Sequence, residues 1–569
     1  MTLLARSFAA IACAFALAFN GSVRADEAPP SLGVTLAPQW DGEEVIALGV
    51  SMLITAPELD EGEALLRIPL MLVGTPTAAL AADEFEAHDD FGALVLTAQD
   101  EDPDASGIYR RYLVGRPTAG DVRVSYAAPP REVDAQTRGG PLFDMRRQEN
   151  GLIGAGVYFF AVPPGNAPWT ITLDWDLSAM PEGARGVWSL GEGRQQTIAP
   201  ANLLNFSFYA AGLLSSESED GEGNFSIYWF EDPPFNVNAL ARQTRALYDY
   251  MARFFDDEGA PYRIFIRYNV HPGGGGTALA RSFMVGYDPQ GETTAGGMQQ
   301  LLAHEMAHNW PRLSGGAHAE TAWYTEGTAE FYSLVLLLRS GQMDLDGFIS
   351  AINRRAANYY TNPHLALSNI EAGALFWSDP RAQRLPYGRG LLYLISVDAQ
   401  LREATGGAVS LDDIVVGIFQ AQRDGEAVGL EGWVERIGEH LGEQAQAGFD
   451  AMAAGETITP PGNAFAPCLR VVPAEFATFE LGFDDFRLGQ VTSLDEASAA
   501  YEAGAREGDI IHAMTPPLRV ARDDPEAAIT LDLERDGERF EISFDPRGES
   551  LPGWKWERVE GVDESACGI

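Results

Sequence analysis

The stretch that most constrains this chain is residues 301–332, LLAHEMAHNWPRLSGGAHAETAWYTEGTAEFY. It opens with His304-Glu305-Met306-Ala307-His308 in an apolar-periodic run. Residues four apart share one face of a helix, so both imidazoles are expected to point the same way. Two neutral histidines at that spacing supply half of a tetrahedral zinc site. Glu305, one position along, is placed to hold and deprotonate a water at the metal. A catalytic zinc keeps three protein ligands and one open position, so a third ligand is required.

Glu326 is the expected third ligand. It opens a second helical run, residues 326–330, after a connection containing Pro311 and Gly315-Gly316. Two antiparallel helices would bring its carboxylate to the histidine face. His318 is the rival. The extended histidine pattern, with a third His six residues after the second, would need one at 314, where Ser314 stands. Glu330, one turn after Glu326, reads either as a carboxylate orienting a histidine or as a solvated helix residue.

Charge narrows the partners. The formal net charge is −43, which repels nucleic acid and anionic lipid surfaces and argues against both. The acidic excess is spread rather than blocked, as on a solvated surface. Arg6, the short apolar run 7–19 and the small residues around Val23-Arg24-Ala25 read as a signal peptide over residues 1–25, cleaved before Asp26. No later segment is apolar enough to span a membrane. Without Arg6 and Arg24 the mature chain stands at −45. Its two remaining cysteines, Cys468 and Cys567, are expected to form a disulfide in an oxidising compartment and so staple one C-terminal segment.

Length suggests three domains. Residues 26–200 read as β. Trp169, Ile171, Leu173 and Trp175 alternate with polar residues, as do Val122, Val124 and Tyr126, and Pro/Gly clusters punctuate the runs. A β-sandwich is expected. Residues 201–460 turn mixed, then helical. A helix is expected over 236–255, a strand over 262–270, and an edge strand over 282–287 after the glycine loop 273–276. Ser410 with Asp413 reads as a helix cap. Tyr387-Gly388-Arg389-Gly390 reads as a loop feeding the buried helix that starts at Leu391. A tyrosine hydroxyl could stabilise an oxyanion opposite the metal; taken alone, Tyr387 reads as one packed tyrosine among 18. Residues 461–569 return to β. Phe479-Glu480-Leu481-Gly482-Phe483 is similar to a loop whose backbone amides hold a peptide carboxylate.

Together these segments resemble the glycyl aminopeptidase family of gluzincin metallopeptidases. The motifs carrying the resemblance are His304-Glu305-x-x-His308 with Trp323-Tyr324-Thr325-Glu326-Gly327, Tyr387-x-Arg389-Gly390, and residues 504–511. The resemblance implies a multidomain α+β chain: an N-terminal β-sandwich, a thermolysin-like, mostly helical catalytic domain with a small sheet, and a C-terminal PDZ-like β domain. It implies one Zn²⁺ on His304, His308 and Glu326, with Glu305 as general base and Tyr387 stabilising the transition state, Arg389 replacing the family's lysine. The implied partners are a peptide or protein substrate and a peptide C-terminus in the PDZ-like groove. The implied location is periplasmic or secreted. The chain departs from related aminopeptidases in one respect. They follow a Gly-rich segment with a glutamate that grips the substrate's amino group, whereas residues 277–281 here read Thr-Ala-Leu-Ala-Arg and the first acid is Asp288. The alternative reading is a peptide-binding PDZ protein whose zinc domain is catalytically silent.

Overall fold

Alternating apolar residues in the first third of the sequence become strands with one buried face. The computed structural model describes residues 28–103, 107–134, 137, 140–217, 224–257, 259–270, 275–287, 295–376, 379–484, 488–524, 526–562, 567 and 569. The expected leader, His271 to Gly274 and Asp288 lie outside them. The fold is mixed α+β, and among the described residues no helix is long and apolar enough to cross a membrane. The chain divides into two compact units, residues 28–248 with 257–305, and residues 249–256 with 306–569.

In the first unit, Pro168–Trp175 buries Ile171 and Leu173, and Val122–Ala128 buries Val122, Val124 and Tyr126. Both belong to a seven-stranded sheet. There Ser31–Trp40 pairs parallel with Pro168–Trp175 and antiparallel with Val45–Ile54. A four-stranded sheet built on Ala64–Leu72 and Gly107–Val114 shares its core: Leu32, Val34, Leu36, Leu66, Ile68 and Tyr112 are all nearly inaccessible. A third, five-stranded antiparallel sheet contains Gly151–Ala155 and Phe208–Gly212. Its apolar residues join Tyr228, Phe265 and Met284 of a fourth sheet in a second core.

That fourth sheet corrects the sequence reading at its border. Its order is Ser215–Glu217, Phe225–Trp229, Tyr262–Tyr268, Ser282–Tyr287, Gly275–Leu279. Ser282–Tyr287 is therefore interior, and the edge is Gly275–Leu279, part of which reads in sequence as a glycine loop. Gly276 is needed there because a Cβ would run into the Phe283 ring on the neighbouring strand. Helix α1 (Val237–Phe254) follows the second strand, and α2 (Ala295–Ala307) follows the sheet.

The second unit is built on helices α3 (His318–Arg339), α4 (Leu345–Tyr360), α5 (Asn369–Leu375), α6 (Pro380–Thr405), α7 (Leu411–Arg423), α8 (Leu430–Leu441) and α9 (Glu443–Ala453). The Ser410–Asp413 cap of α7 is present, with Ser410 N donating to Asp413 at 2.8 Å. Two sequence expectations fail here. Glu326 does not open a helix but sits in the middle of α3, which starts at His318. Residues 387–390 are no loop, since α6 runs straight through them and through Pro386.

After α9 the chain returns to β. Leu469–Phe479 and Arg547–Arg558 form a long antiparallel pair, with Cys468 and Cys567 disulfide-bonded, their Cα atoms 5.3 Å apart. Asn353 of α4 fastens this pair: its amide donates to Trp556 O at 2.8 Å and accepts from Trp556 N at 2.7 Å. Ile510–Thr515, Ile529–Arg535 and Glu538–Phe544 form a three-stranded sheet over a small core of Leu481, Phe483, Val491, Leu531 and Leu533. The turn Arg535-Asp536-Gly537 joins its last two strands, with φ of +52° and +82° at Asp536 and Gly537.

Candidate metal centre

Helix α2 carries His304 and Glu305, and His308 lies one residue past its last assigned residue. The helix closes tightly there, with Asn309 N and Trp310 N donating to Met306 O and Ala307 O at 3.1 Å. Pro311 follows and cannot continue the ladder. Trp310 anchors the exit, fully buried and stacked on Phe255 with ring centroids 5.1 Å apart. These contacts hold His308 one turn beyond His304 although regular helix has ended.

Helix α3 brings Glu326. Its first turn is closed by the Glu320 carboxylate, which accepts from Ala317 N at 2.7 Å. Glu326 lies eight residues after His318, the start of α3, and is 0% exposed. Its Oε2 stands 3.6 Å from Nε2 of His308. One ligand atom from each of His304, His308 and Glu326 lies within 4.8 Å of the other two. Around a tetrahedral zinc with bonds of about 2.0–2.1 Å, ligand atoms sit roughly 3.3–3.4 Å apart. Two imidazoles and a carboxylate at these separations fit zinc's preferred donors, with one position left over. Glu305, next to His304 in the chain, is 1% exposed, so its carboxylate is shielded from bulk water.

His318 is not among the three donors; its ring packs edge-on against Phe376, centroids 4.5 Å apart. Glu330 pairs with Arg355 of α4 and both side chains are about 15% exposed, so it is not a solvated carboxylate. Tyr387 lies on α6, half-buried, three residues before Gly390. Helices α3 and α6 meet at Gly327 and Gly390: a Cβ on Gly390 would overlap the Trp323 carbonyl and lie 2.7 Å from Gly327 Cα. Only two glycines let the backbones approach this closely. Glu326 therefore stands next to the crossing on one helix, and Tyr387 one turn from it on the other.

Sequence reasoning missed what Arg389 does. Its guanidinium is 1% exposed and donates to Asn369 Oδ1 at 2.8 Å, Leu365 O at 2.9 Å and Leu367 O at 2.6 Å. Burial lowers its pKa from the ordinary arginine value. A buried cation with neutral oxygen partners gives no local sequence signal, because its acceptors lie twenty or more residues away.

On the edge strand, Thr277 Oγ1 accepts from Leu142 N at 2.9 Å and Ala278 is 8% exposed, so neither offers a carboxylate.

No family model matches the sequence, and no curated protein matches it. Among solved structures, an aminopeptidase N family protein from Idiomarina loihiensis is similar over 92% of this chain and 98% of its own, with a TM-score of 0.62 and 13% identity. An M1 zinc metallopeptidase from Deinococcus radiodurans covers 76% of this chain and 94% of its own, at 16% identity and a TM-score of 0.44. At 13% identity over nearly both full lengths, the chain shares the fold of the aminopeptidase N family protein.

Proposed function

We propose that the chain is an exported zinc peptidase that hydrolyses peptide bonds. The observation that carries this reading is the convergence of His304, His308 and Glu326 within 4.8 Å, with the buried Glu305 next to His304 in the chain. The fold shared with an aminopeptidase N family protein supports it. His304, His308 and Glu326 would hold the metal. Bound zinc supplies a Lewis acid that acidifies water and polarises a carbonyl. Glu305 takes the proton from the attacking water and passes it to the leaving amine. The Tyr387 hydroxyl donates to the oxygen on which negative charge develops.

Residues 201–460 are proposed as the catalytic domain, between the β domain 26–200 and the PDZ-like domain 461–569. In that last domain Gly482, at φ +86°, turns the chain between the buried Leu481 and Phe483, a geometry compatible with amides presented to a peptide C-terminus. The Cys468–Cys567 disulfide suits a periplasmic or secreted protein. The edge strand Gly275–Leu279 carries no carboxylate to grip a free amine, so the activity is read as aminopeptidase-like, with recognition of the amine the point to test.

Glu305→Gln tests the mechanism, assayed on free-amine and N-blocked peptides. The variant keeps its zinc and loses cleavage by roughly 10²-fold or more, the range general-base catalysis supplies. Full activity in Glu305→Gln would remove the general base. Cleavage of free-amine peptides alone would show that an amine anchor exists elsewhere.

A further inference from the structure

Helix α6 should be weak where Tyr387 sits. Pro386 lies inside it, and a helix-interior proline removes the bond to the carbonyl four residues back and crowds that carbonyl. The turn before Pro386 is thus tied to the turn after it by one backbone bond fewer.

The segment 362–369 is bonded to both sides of this break. Before it, Asn362 Nδ2 donates to Arg381 O at 2.9 Å, and His364 Nε2 meets the Asp379 carboxylate at 2.8 Å. Asp379 is the N-cap of α6, accepting from Arg381 N at 2.9 Å. After the break, Arg389 reaches back to Leu365 O, Leu367 O and Asn369 Oδ1. The segment is itself held from outside. The Gly455 backbone sits so close to Ala366 O and Leu367 O that a Cβ there would come within 2.6 Å of both. Farther along, α5 rests on the first turn of α3, where Gly373 faces Ala319 without room for a Cβ.

We propose that residues 362–369 act as a splint across the backbone bond that Pro386 removes, with His364 reaching from the segment to the helix start and Arg389 reaching back to the segment from beyond Pro386, and that these two are positioning residues for the Tyr387 hydroxyl. The proposal rests on the tyrosine's role in the reading above. It assigns a purpose to the arginine: a single ammonium cannot address two carbonyls and an amide oxygen in the fixed fork that a guanidinium provides.

The test is a double-mutant comparison on the zinc-loaded, full-length protein, using Arg389→Met and His364→Ala, each alone and combined with Tyr387→Phe. His364 is half-buried, so its variant keeps the test open if Arg389→Met does not fold. Each single variant is expected to keep one zinc per chain and an unchanged KM while kcat falls roughly 10–100-fold, the effect of misplacing a catalytic group by about 1 Å. In the Tyr387→Phe background neither variant lowers kcat further. If Tyr387→Phe lowers kcat but the second substitution multiplies the loss, the splint does not act through the tyrosine and the proposal falls. Loss of zinc in Arg389→Met or His364→Ala overturns it as well. If Tyr387→Phe leaves kcat untouched, the tyrosine's own assignment fails first and the splint has nothing to position.

Discussion

Gly390→Ala probes the geometry behind Glu326 without touching a proposed ligand. The added methyl would meet the Trp323 carbonyl head-on and lie 2.7 Å from Gly327 Cα. Ordinary contact starts near 3.4 Å. The two backbones must therefore separate by at least about 0.7 Å, and further at the carbonyl. Neither obstacle is a flexible side-chain tip, so the helices themselves have to move. Overpacking of this kind costs roughly 1–3 kcal/mol. At roughly 2–4 °C per kcal/mol, melting should fall by about 2–12 °C. The movement also displaces Glu326, one residue from the crossing, relative to His308. Zinc affinity should drop by roughly 10–100-fold, the usual effect of disturbing what supports a metal ligand. Chelator competition measures the affinity, and calorimetry with and without chelator separates the metal's share of the melting shift. Wild-type zinc affinity in Gly390→Ala would refute the idea that this crossing sets the carboxylate's position, even if the protein melts lower.

Two further outcomes concern stability alone. Glu101 bonds Arg67 at 2.8 Å and Arg111 at 2.6 Å, and the Arg67 bond above all holds its pKa at about 2 against an ordinary 4.5. A depressed carboxylate contributes stability that is present above the unfolded pKa and lost as pH falls through the folded one. Denaturant titrations between pH 5 and 2 should therefore lose on the order of 2 kcal/mol in the wild type that Glu101→Gln does not lose, a discount for the residue's partial exposure included; parallel pH curves would contradict this. Asn353→Ala leaves Trp556 N and O without their side-chain partner and should cost roughly 1–3 kcal/mol, with faster amide exchange at Trp556 as its local sign; unchanged exchange there would show that the strand pair does not depend on Asn353.

The sequence made some of this legible for physical reasons. The spacing of His304 and His308 is a helical period, and the alternation through residues 169–175 is a strand period; both survive without tertiary information. The start of α3 was hidden because its N-cap is Ala317, which has no capping oxygen, and only Glu320 reaching back marks the turn. Tyr387-Gly388-Arg389-Gly390 reads as a loop because of its two glycines, and α6 runs through it because packing supplies what propensity denies. The run at Gly275-Gly276 reads as loop until Phe283 takes up the space above it. The crossing of Gly327 with Gly390 joins residues 63 positions apart, and no local pattern announces such a contact.

The central claim is that His304, His308 and Glu326 hold one zinc. Metal analysis of the purified full-length protein, with His308→Ala beside it, addresses this directly, and X-ray absorption at the zinc edge reads the ligand set. The account predicts one zinc per wild-type chain, bound through two imidazole nitrogens and carboxylate or water oxygen, and little zinc in His308→Ala. Wild-type protein that stays metal-free in excess zinc, or His308→Ala that binds as much as wild type, would contradict it.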